Sequence, residues 1–203
     1  MAFELDTPHG PARVHLQPVD DAVGALVLGH GAGGGVGAPD LVAAAKAAEA
    51  LGITVALVEQ PYRVAGRRSQ APPAQLDAAW IAVVDQLSEN GLSGLPLITG
   101  GRSAGARVAC RTAAKVGAVA VLCLAFPVHP PGKGDDPSKS RLPELDAVEV
   151  PVLVVQGDRD PFGMPPDGPN RKVVRVPGNH SLRSTGAVGA AVSEWLAARM
   201  SMV

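Results

Sequence analysis

Residue types that act together in nucleophilic catalysis follow apolar stretches of this 203-residue chain. Ser103 lies in Gly101-Arg102-Ser103-Ala104-Gly105, just after the apolar run 95–99. A serine on a sharp turn between a strand and a helix needs small residues on both sides, because larger side chains clash there. This G-x-S-x-G pattern, in this position, predicts a nucleophilic serine at 103.

An acid and a histidine follow the last two apolar runs. Run 152–156 is followed by Gly157-Asp158-Arg159-Asp160, and run 173–176 by Pro177-Gly178-Asn179-His180. The carboxyl ends of parallel strands meet at one edge of a sheet, where ligands bind. The chain order Ser, Asp, His is that of a serine triad on such a sheet, and both Asp158 and Asp160 qualify by position.

A glycine-rich turn follows the first buried run, 25–28, as Gly29-His30-Gly31-Ala32-Gly33-Gly34-Gly35. Such a turn lets backbone N–H groups approach a ligand. A phosphate-binding loop needs Lys followed by Ser or Thr, and neither pair follows Gly37. An oxyanion hole is favoured. A dinucleotide-binding loop, with Glu59 as its acidic residue, and a simple flexible turn remain alternatives.

Short apolar runs alternate with helical stretches along the whole chain. Nearly continuous apolar runs of four to seven residues are typical of strands buried on both faces. This alternation predicts an α/β fold: a three-layer sandwich whose central, mostly parallel sheet carries helices on both faces. The runs are 25–28, 54–58, 95–99, 118–124, 152–156 and 173–176.

Apolar residues at helical spacing predict the helices between these runs. The stripes are Leu41, Ala44, Ala48 and Leu51; Leu76, Trp80, Val83, Val84 and Leu87; and Val188, Val192, Trp195, Leu196 and Arg199. Asp40 is the expected N-cap of the first helix. Residues 106–115 contain no Gly or Pro and predict a further helix. Alternation over residues 12–16 predicts an edge strand with one wet face.

Composition narrows the classes of function. There are 18 Lys and Arg against 19 Asp and Glu, which argues against a nucleic-acid partner. Cys110 and Cys123 lie in apolar stretches and are expected to be buried thiols, too few for a zinc site or a disulfide framework. Residues 1–10 lack the apolar segment of a signal peptide, and run 116–128 is too short to span a bilayer. We expect one soluble, cytoplasmic domain over residues 1–203.

Several of these motifs together resemble the α/β-hydrolase superfamily. They resemble in particular a small dienelactone-hydrolase-like branch that includes relatives in a chromatin acetyltransferase complex. The motifs that carry the resemblance are His30-Gly31-Ala32-Gly33, Tyr62-Arg63 with Gly66-Arg67-Arg68 and Pro72-Pro73, Gly101-Arg102-Ser103-Ala104-Gly105, Gln156-Gly157-Asp158-Arg159-Asp160-Pro161-Phe162-Gly163 and Gly178-Asn179-His180.

The resemblance implies a role for each candidate residue. Ser103 is the expected nucleophile and His180 its base, and the family spacing from Gly157 favours Asp160 as the acid. The N–H group of Ala104, with that of Ala32 or of a neighbouring residue, is the expected oxyanion hole. The resemblance implies a small-molecule acyl substrate, an ester or a thioester, and no cofactor or metal. A catalytically weak binding or scaffold module on the same fold is the alternative.

Other residues of these motifs are candidates for substrate contact. Arg63 and Arg102 could meet an anionic group, because guanidinium forks match carboxylates and phosphates. His30, Gly31 and Tyr62 are further candidates. Segment 125–150 is short and rich in proline, which predicts an open cleft with no helical lid and a preference for small acyl groups.

Overall fold

A computed structural model of the protein describes residues 1–200 and shows one eight-stranded sheet. The strands are β1 (Ala2–Leu5), β2 (Ala12–Gln17), β3 (Gly24–Gly29), β4 (Ile53–Glu59), β5 (Leu97–Arg102), β6 (Ala120–Leu124), β7 (Val152–Gly157) and β8 (Arg171–Val176). Their order is β1-β2-β4-β3-β5-β6-β7-β8. Strands β3 to β8 are parallel, and β1 and β2 pair antiparallel at one end. The predicted α/β class and mostly parallel sheet are confirmed.

Helices cover both faces of this sheet. They are α1 (Pro39–Glu49), α2 (Pro61–Val64), α3 (Pro73–Glu89), α4 (Ala104–Thr112), α5 (Leu142–Asp146) and α6 (Thr185–Met200). Helices α1 and α6 pack together on one face, while α3 and α4 lie against the other. All residues of β3, β6 and β7 are buried, as continuous apolar runs predict for strands covered twice.

The prediction that residues 12–16 form the edge strand is wrong. They lie in β2, whose residues 12–16 alternate between buried and partly exposed as expected, but β1 pairs with its outer side. Phe3 and Leu5 of β1 pack against the core beside α3, and the Met1 ammonium donates to the carbonyl of Leu16 at 2.7 Å. The packing of Phe3 and Leu5 and the pairing with β2 together hold this extra strand.

Asp40 is not the N-cap of α1. The helix begins at Pro39 with Ala38 before it, because proline at the first helical position has the right φ and needs no N–H partner. Asp40 is the second helical residue, and its side chain is completely buried. The helix also ends at Glu49, so Leu51 lies beyond it.

The connection between β6 and β7 contains no helical lid, as predicted. Its longest helix is the five-residue α5, preceded by the 3₁₀ turn Pro137–Lys139. Within residues 1–200, no helix combines the length and apolar character needed to cross a bilayer. Cys110 and Cys123 are buried free thiols, as predicted, with Sγ atoms 3.5 Å apart.

Candidate active site

Ser103 lies at a strained turn between β5 and α4. Its φ is 53°, in the left-handed region that residues with a Cβ rarely adopt. Its N–H donates to the Leu124 carbonyl at 2.9 Å, which fixes the turn against β6. Such strain persists only where the surroundings hold it, and it places the hydroxyl at the carboxyl end of the sheet.

The glycines on either side of Ser103 allow this turn to form. A Cβ at Gly101 would lie 2.6 Å from the carbonyl oxygen of Gly29, and one at Gly105 would collide with the same backbone. The start of α4 therefore packs directly on the end of β3. This contact is the physical reason for both glycines of the G-x-S-x-G pattern.

Ser103, His180 and Asp160 form a chain of hydrogen bonds. Nε2 of His180 lies 2.9 Å from Ser103 Oγ, and its Nδ1 lies 2.8 Å from Asp160 Oδ2. An ionised carboxylate only accepts, so Nδ1 carries the imidazole proton and Nε2 is left to accept the serine proton. The structure brings together the three side chains that the loops after β5, β7 and β8 were predicted to supply.

The Asp160 carboxylate is 1% exposed and is held by three donors. Besides His180, Oδ2 accepts from Nε2 of Gln156 at 3.0 Å, and Oδ1 accepts from the N–H of Phe162 at 2.9 Å. Asp158 lies elsewhere: its exposed carboxylate accepts from the N–H of Gly178 at 2.9 Å and closes the turn. The geometry thus favours Asp160 over Asp158 as the acid.

Two residues of the motif 156–163, to which sequence reasoning gave no role, hold Asp160 and His180 in place. Phe162 stacks on His180, with ring centroids 4.0 Å apart and an angle of 29° between the planes. Gln156 is completely buried, and its amide nitrogen also lies 3.0 Å from the Phe126 carbonyl and 2.8 Å from that of Gly163, so its two N–H groups are shared among three acceptors. A glutamine at the end of an apolar run is a signal that could have identified Gln156. Phe162 had only its place in that motif as a signal, which does not reveal its contact with His180.

The glycine-rich turn passes directly beside Ser103. A Cβ at Gly31 would lie 3.5 Å from that of Ser103. Tyr62 donates its hydroxyl proton to the Ala32 carbonyl at 3.0 Å, so α2 fixes the turn. The N–H of Ala104 belongs to the first turn of α4, where N–H groups have no partner within the helix.

His30 is buried with both ring nitrogens in contact with the backbone. Nε2 accepts from the N–H of Gln60 at 3.0 Å, and Nδ1 lies 2.8 Å from the Gly31 carbonyl. Because Nε2 accepts, Nδ1 is the protonated nitrogen. Burial lowers the pKa of His30, which favours this neutral form. His30 thus shapes the turn from inside.

The two candidate anion-binding arginines lie in different surroundings. Arg63 is half-buried in α2, next to Tyr62. Arg102 is 17% exposed, and its guanidinium contacts Asp40 and the carbonyl of His180. The structure therefore directs most of the Arg102 guanidinium into the protein.

Two surface depressions differ in their relation to the site. A cleft of about 470 Å³ lies beside the loop 177–184, which joins β8 to α6 and carries His180 (the histidine loop). Its borders are Ala38, Pro39, Arg102, Ser181 and Arg183. A larger groove of about 700 Å³ lies between α1 and α6 and is lined by none of the three triad candidates. In residues 1–200, no three His, Cys, Asp or Glu side chains cluster as a metal site requires.

The chain belongs to the alpha/beta hydrolase domain family, whose match covers residues 22–201. A comparison with curated protein sequences found no match. The family assignment agrees with the mostly parallel sheet that helices cover on both faces.

Solved structures share this fold over nearly the whole chain. An α/β serine hydrolase without a lid from Xanthomonas campestris is 24% identical, with a TM-score of 0.73 over 96% of this chain and 94% of that one. Est1E from Butyrivibrio proteoclasticus is 17% identical, with a TM-score of 0.77 over 98% and 99%. Dienelactone hydrolase from Anabaena variabilis is 19% identical, with a TM-score of 0.74 over 98% and 96%. The relation to a chromatin acetyltransferase complex stays a prediction.

Proposed function

We propose that this protein is a serine hydrolase that cleaves small acyl esters or thioesters. The observation that carries the proposal is the continuous contact from Ser103 Oγ through the His180 ring to Asp160. A serine hydroxyl is a weak nucleophile at neutral pH and needs an adjacent base. The ring nitrogen facing Ser103 is the unprotonated one, as that role requires.

The proposed reaction proceeds in two acyl-transfer steps. Ser103 Oγ attacks the acyl carbon while His180 Nε2 takes its proton, and Asp160 stabilises the imidazolium. The N–H groups of Ala104 and Ala32 stabilise the oxyanion. His180 then protonates the leaving alcohol or thiol as its bond to the acyl carbon breaks. A water molecule, deprotonated by His180, releases the acid and restores Ser103.

The absence of a lid supports small acyl groups as substrates. An acyl chain without an apolar pocket stays in water and gains no binding energy from extra methylenes. An enclosing pocket would add up to about 0.8 kcal/mol, or about fourfold in kcat/KM, for each CH₂. Of the two arginine candidates, Arg102 already contacts Asp40 and the His180 carbonyl, and we propose that Arg63 is the one that meets an acidic group when the substrate carries one.

We expect kcat/KM on p-nitrophenyl esters to be flat or falling from acetate to octanoate. The physical reason is the open cleft, and Ser103→Ala measured beside wild type gives the background hydrolysis. A steady rise of kcat/KM with chain length would contradict the open-site proposal. Folded wild type no faster than Ser103→Ala on every ester would favour a scaffold role instead.

A further inference from the structure

The guanidinium of Arg102 contacts three segments that converge on Ser103. Its Nε lies 2.9 Å from Asp40 Oδ2 in the first turn of α1, and its Nη2 donates to the His180 carbonyl at 2.9 Å. Its Nη1 packs against the glycine-rich turn, since a Cβ at Gly31 would lie 2.8 Å away. One side chain thus joins α1, the glycine-rich turn and the histidine loop.

Asp40 anchors this side chain from a completely buried position. Its Oδ1 accepts from the N–H of Leu41 at 3.0 Å, which leaves Oδ2 to face Arg102. Burial raises the pKa of Asp40, and the guanidinium beside it opposes that rise. A buried carboxylate is tolerated when a charged partner lies within contact distance, so the pair fixes Arg102 on the α1 side.

We propose that Arg102 is a positioning residue that holds the main chain of His180 at the distance from Ser103 that proton transfer requires. The proposal rests on the serine-hydrolase function above. Asp160 and Phe162 orient the ring of His180, whereas Arg102 holds its main-chain carbonyl. Arg102 is the residue directly before Ser103. The nucleophile and its base are thereby linked by a direct side-chain contact.

Lysine cannot replace arginine in this role. The planar guanidinium keeps an ion-pair contact with Asp40 through one edge while an N–H of its Nη2 donates to the His180 carbonyl, whereas an ammonium is a single point charge on a flexible stem. Arg102→Lys therefore keeps the charge beside Asp40 and loses the simultaneous contact with the histidine carbonyl.

Arg111→Lys is the matched control. Arg111 is 18% exposed, and its guanidinium contacts Asp77 at 2.6 and 2.9 Å and Glu144 at 3.3 Å, near the far end of α4. The Arg111→Lys variant therefore loses guanidinium contacts comparable to those of Arg102, but at a place that does not touch His180. A purely structural role for Arg102 predicts similar behaviour of the two variants.

The experiment measures kcat and KM on p-nitrophenyl acetate, thermal unfolding, and the low-field ¹H NMR resonance of the His180 Nδ1 proton. For Arg102→Lys we expect kcat to fall 10- to 100-fold, since a displacement near 1 Å can cost about 100-fold, with KM within about twofold. The NMR resonance should broaden or shift. Arg111→Lys should keep wild-type kcat and resonance at a similar loss of thermal stability.

Wild-type kcat and an unchanged resonance in folded Arg102→Lys would overturn the proposal. A change in KM alone would also overturn it, because that result indicates substrate contact.

If Arg102→Lys does not fold, Asp40→Asn makes the same test, because it removes the anchoring charge at nearly constant volume. We expect about a tenfold lower kcat with the same NMR change, and wild-type values for both would overturn the proposal. The resonance is observable without substrate, so an inactive wild type counts against the hydrolase function while the resonance still decides the role of Arg102.

Discussion

His180→Ala is expected to lower kcat on p-nitrophenyl acetate by a factor on the order of 10⁴ to 10⁶. The variant removes the only group within hydrogen-bond reach of Ser103 Oγ, among the described residues, that can take its proton. Residues of a triad act as a unit, so His180→Ala, Ser103→Ala and the double variant should share nearly the same residual rate. Steady-state kinetics on the three purified variants measures this.

His15→Ala is the control for this experiment. His15 lies on β2, and its Nε2 also contacts a carboxylate, Glu59 Oε2, at 3.2 Å. We expect its kcat to stay within about twofold of wild type, because it is far from the triad in the sheet order. Retention by His180→Ala of a tenth or more of wild-type activity would contradict the assignment of His180 as the base.

Asp160→Asn is expected to lower kcat by about 10⁴ while KM changes little. If the asparagine amide nitrogen replaces Oδ2, it faces the donors of His180 and Gln156 and forces the imidazole into the wrong tautomer. If it replaces Oδ1, it faces the N–H of Phe162 instead. The first orientation opposes two donors and the second opposes one, and in both the isosteric change removes the negative charge that stabilises the imidazolium.

Asp158→Asn is the matched control, two residues away on the same turn. Its carboxylate is half-exposed and contacts the N–H of Gly178 and the side chain of Arg159, not His180. We expect wild-type kcat within about threefold. From the sequence alone, either Asp158 or Asp160 could be the acid. A large loss of kcat in Asp158→Asn together with an active Asp160→Asn would reverse the assignment of Asp160 as the acid.

The sequence predicts the parts of the site that depend on local pattern. Ser103 follows from small residues around a serine after a buried run, and the contacts of Gly101 and Gly105 with Gly29 show why those residues are small. His180 follows from its place after the last strand, because parallel strands end at one edge. Such inferences need only the chain order and the period of the apolar residues.

Contacts between distant loops could not be predicted in this way. Arg102 is a candidate for substrate contact from charge alone, yet Asp40, 62 residues earlier in the chain, turns its guanidinium inward. Asp40 is itself of a residue type that often caps helices, yet α1 begins at Pro39, one residue before it. The role of each of these side chains depends on a partner that no local spacing reveals.

The edge of the sheet was missed for a related reason. Residues 2–5 form only a four-residue strand, and β1 is held by the packing of Phe3 and Leu5 and by its pairing with β2. A segment this short carries little periodic signal. The pairing of β1 with β2 depends on the apolar surface beside α3 that Phe3 and Leu5 cover, and residues 2–5 alone do not reveal that surface.

Labelling with a fluorophosphonate probe tests the activated serine most directly, because the probe reacts with a serine oxygen only when a neighbouring base has made it nucleophilic. Intact mass and peptide mapping should show one adduct per wild-type chain, attached at Ser103 with loss of fluoride, and none in Ser103→Ala. Folded wild-type protein that remains unlabelled, or an adduct that persists in Ser103→Ala, would contradict the account.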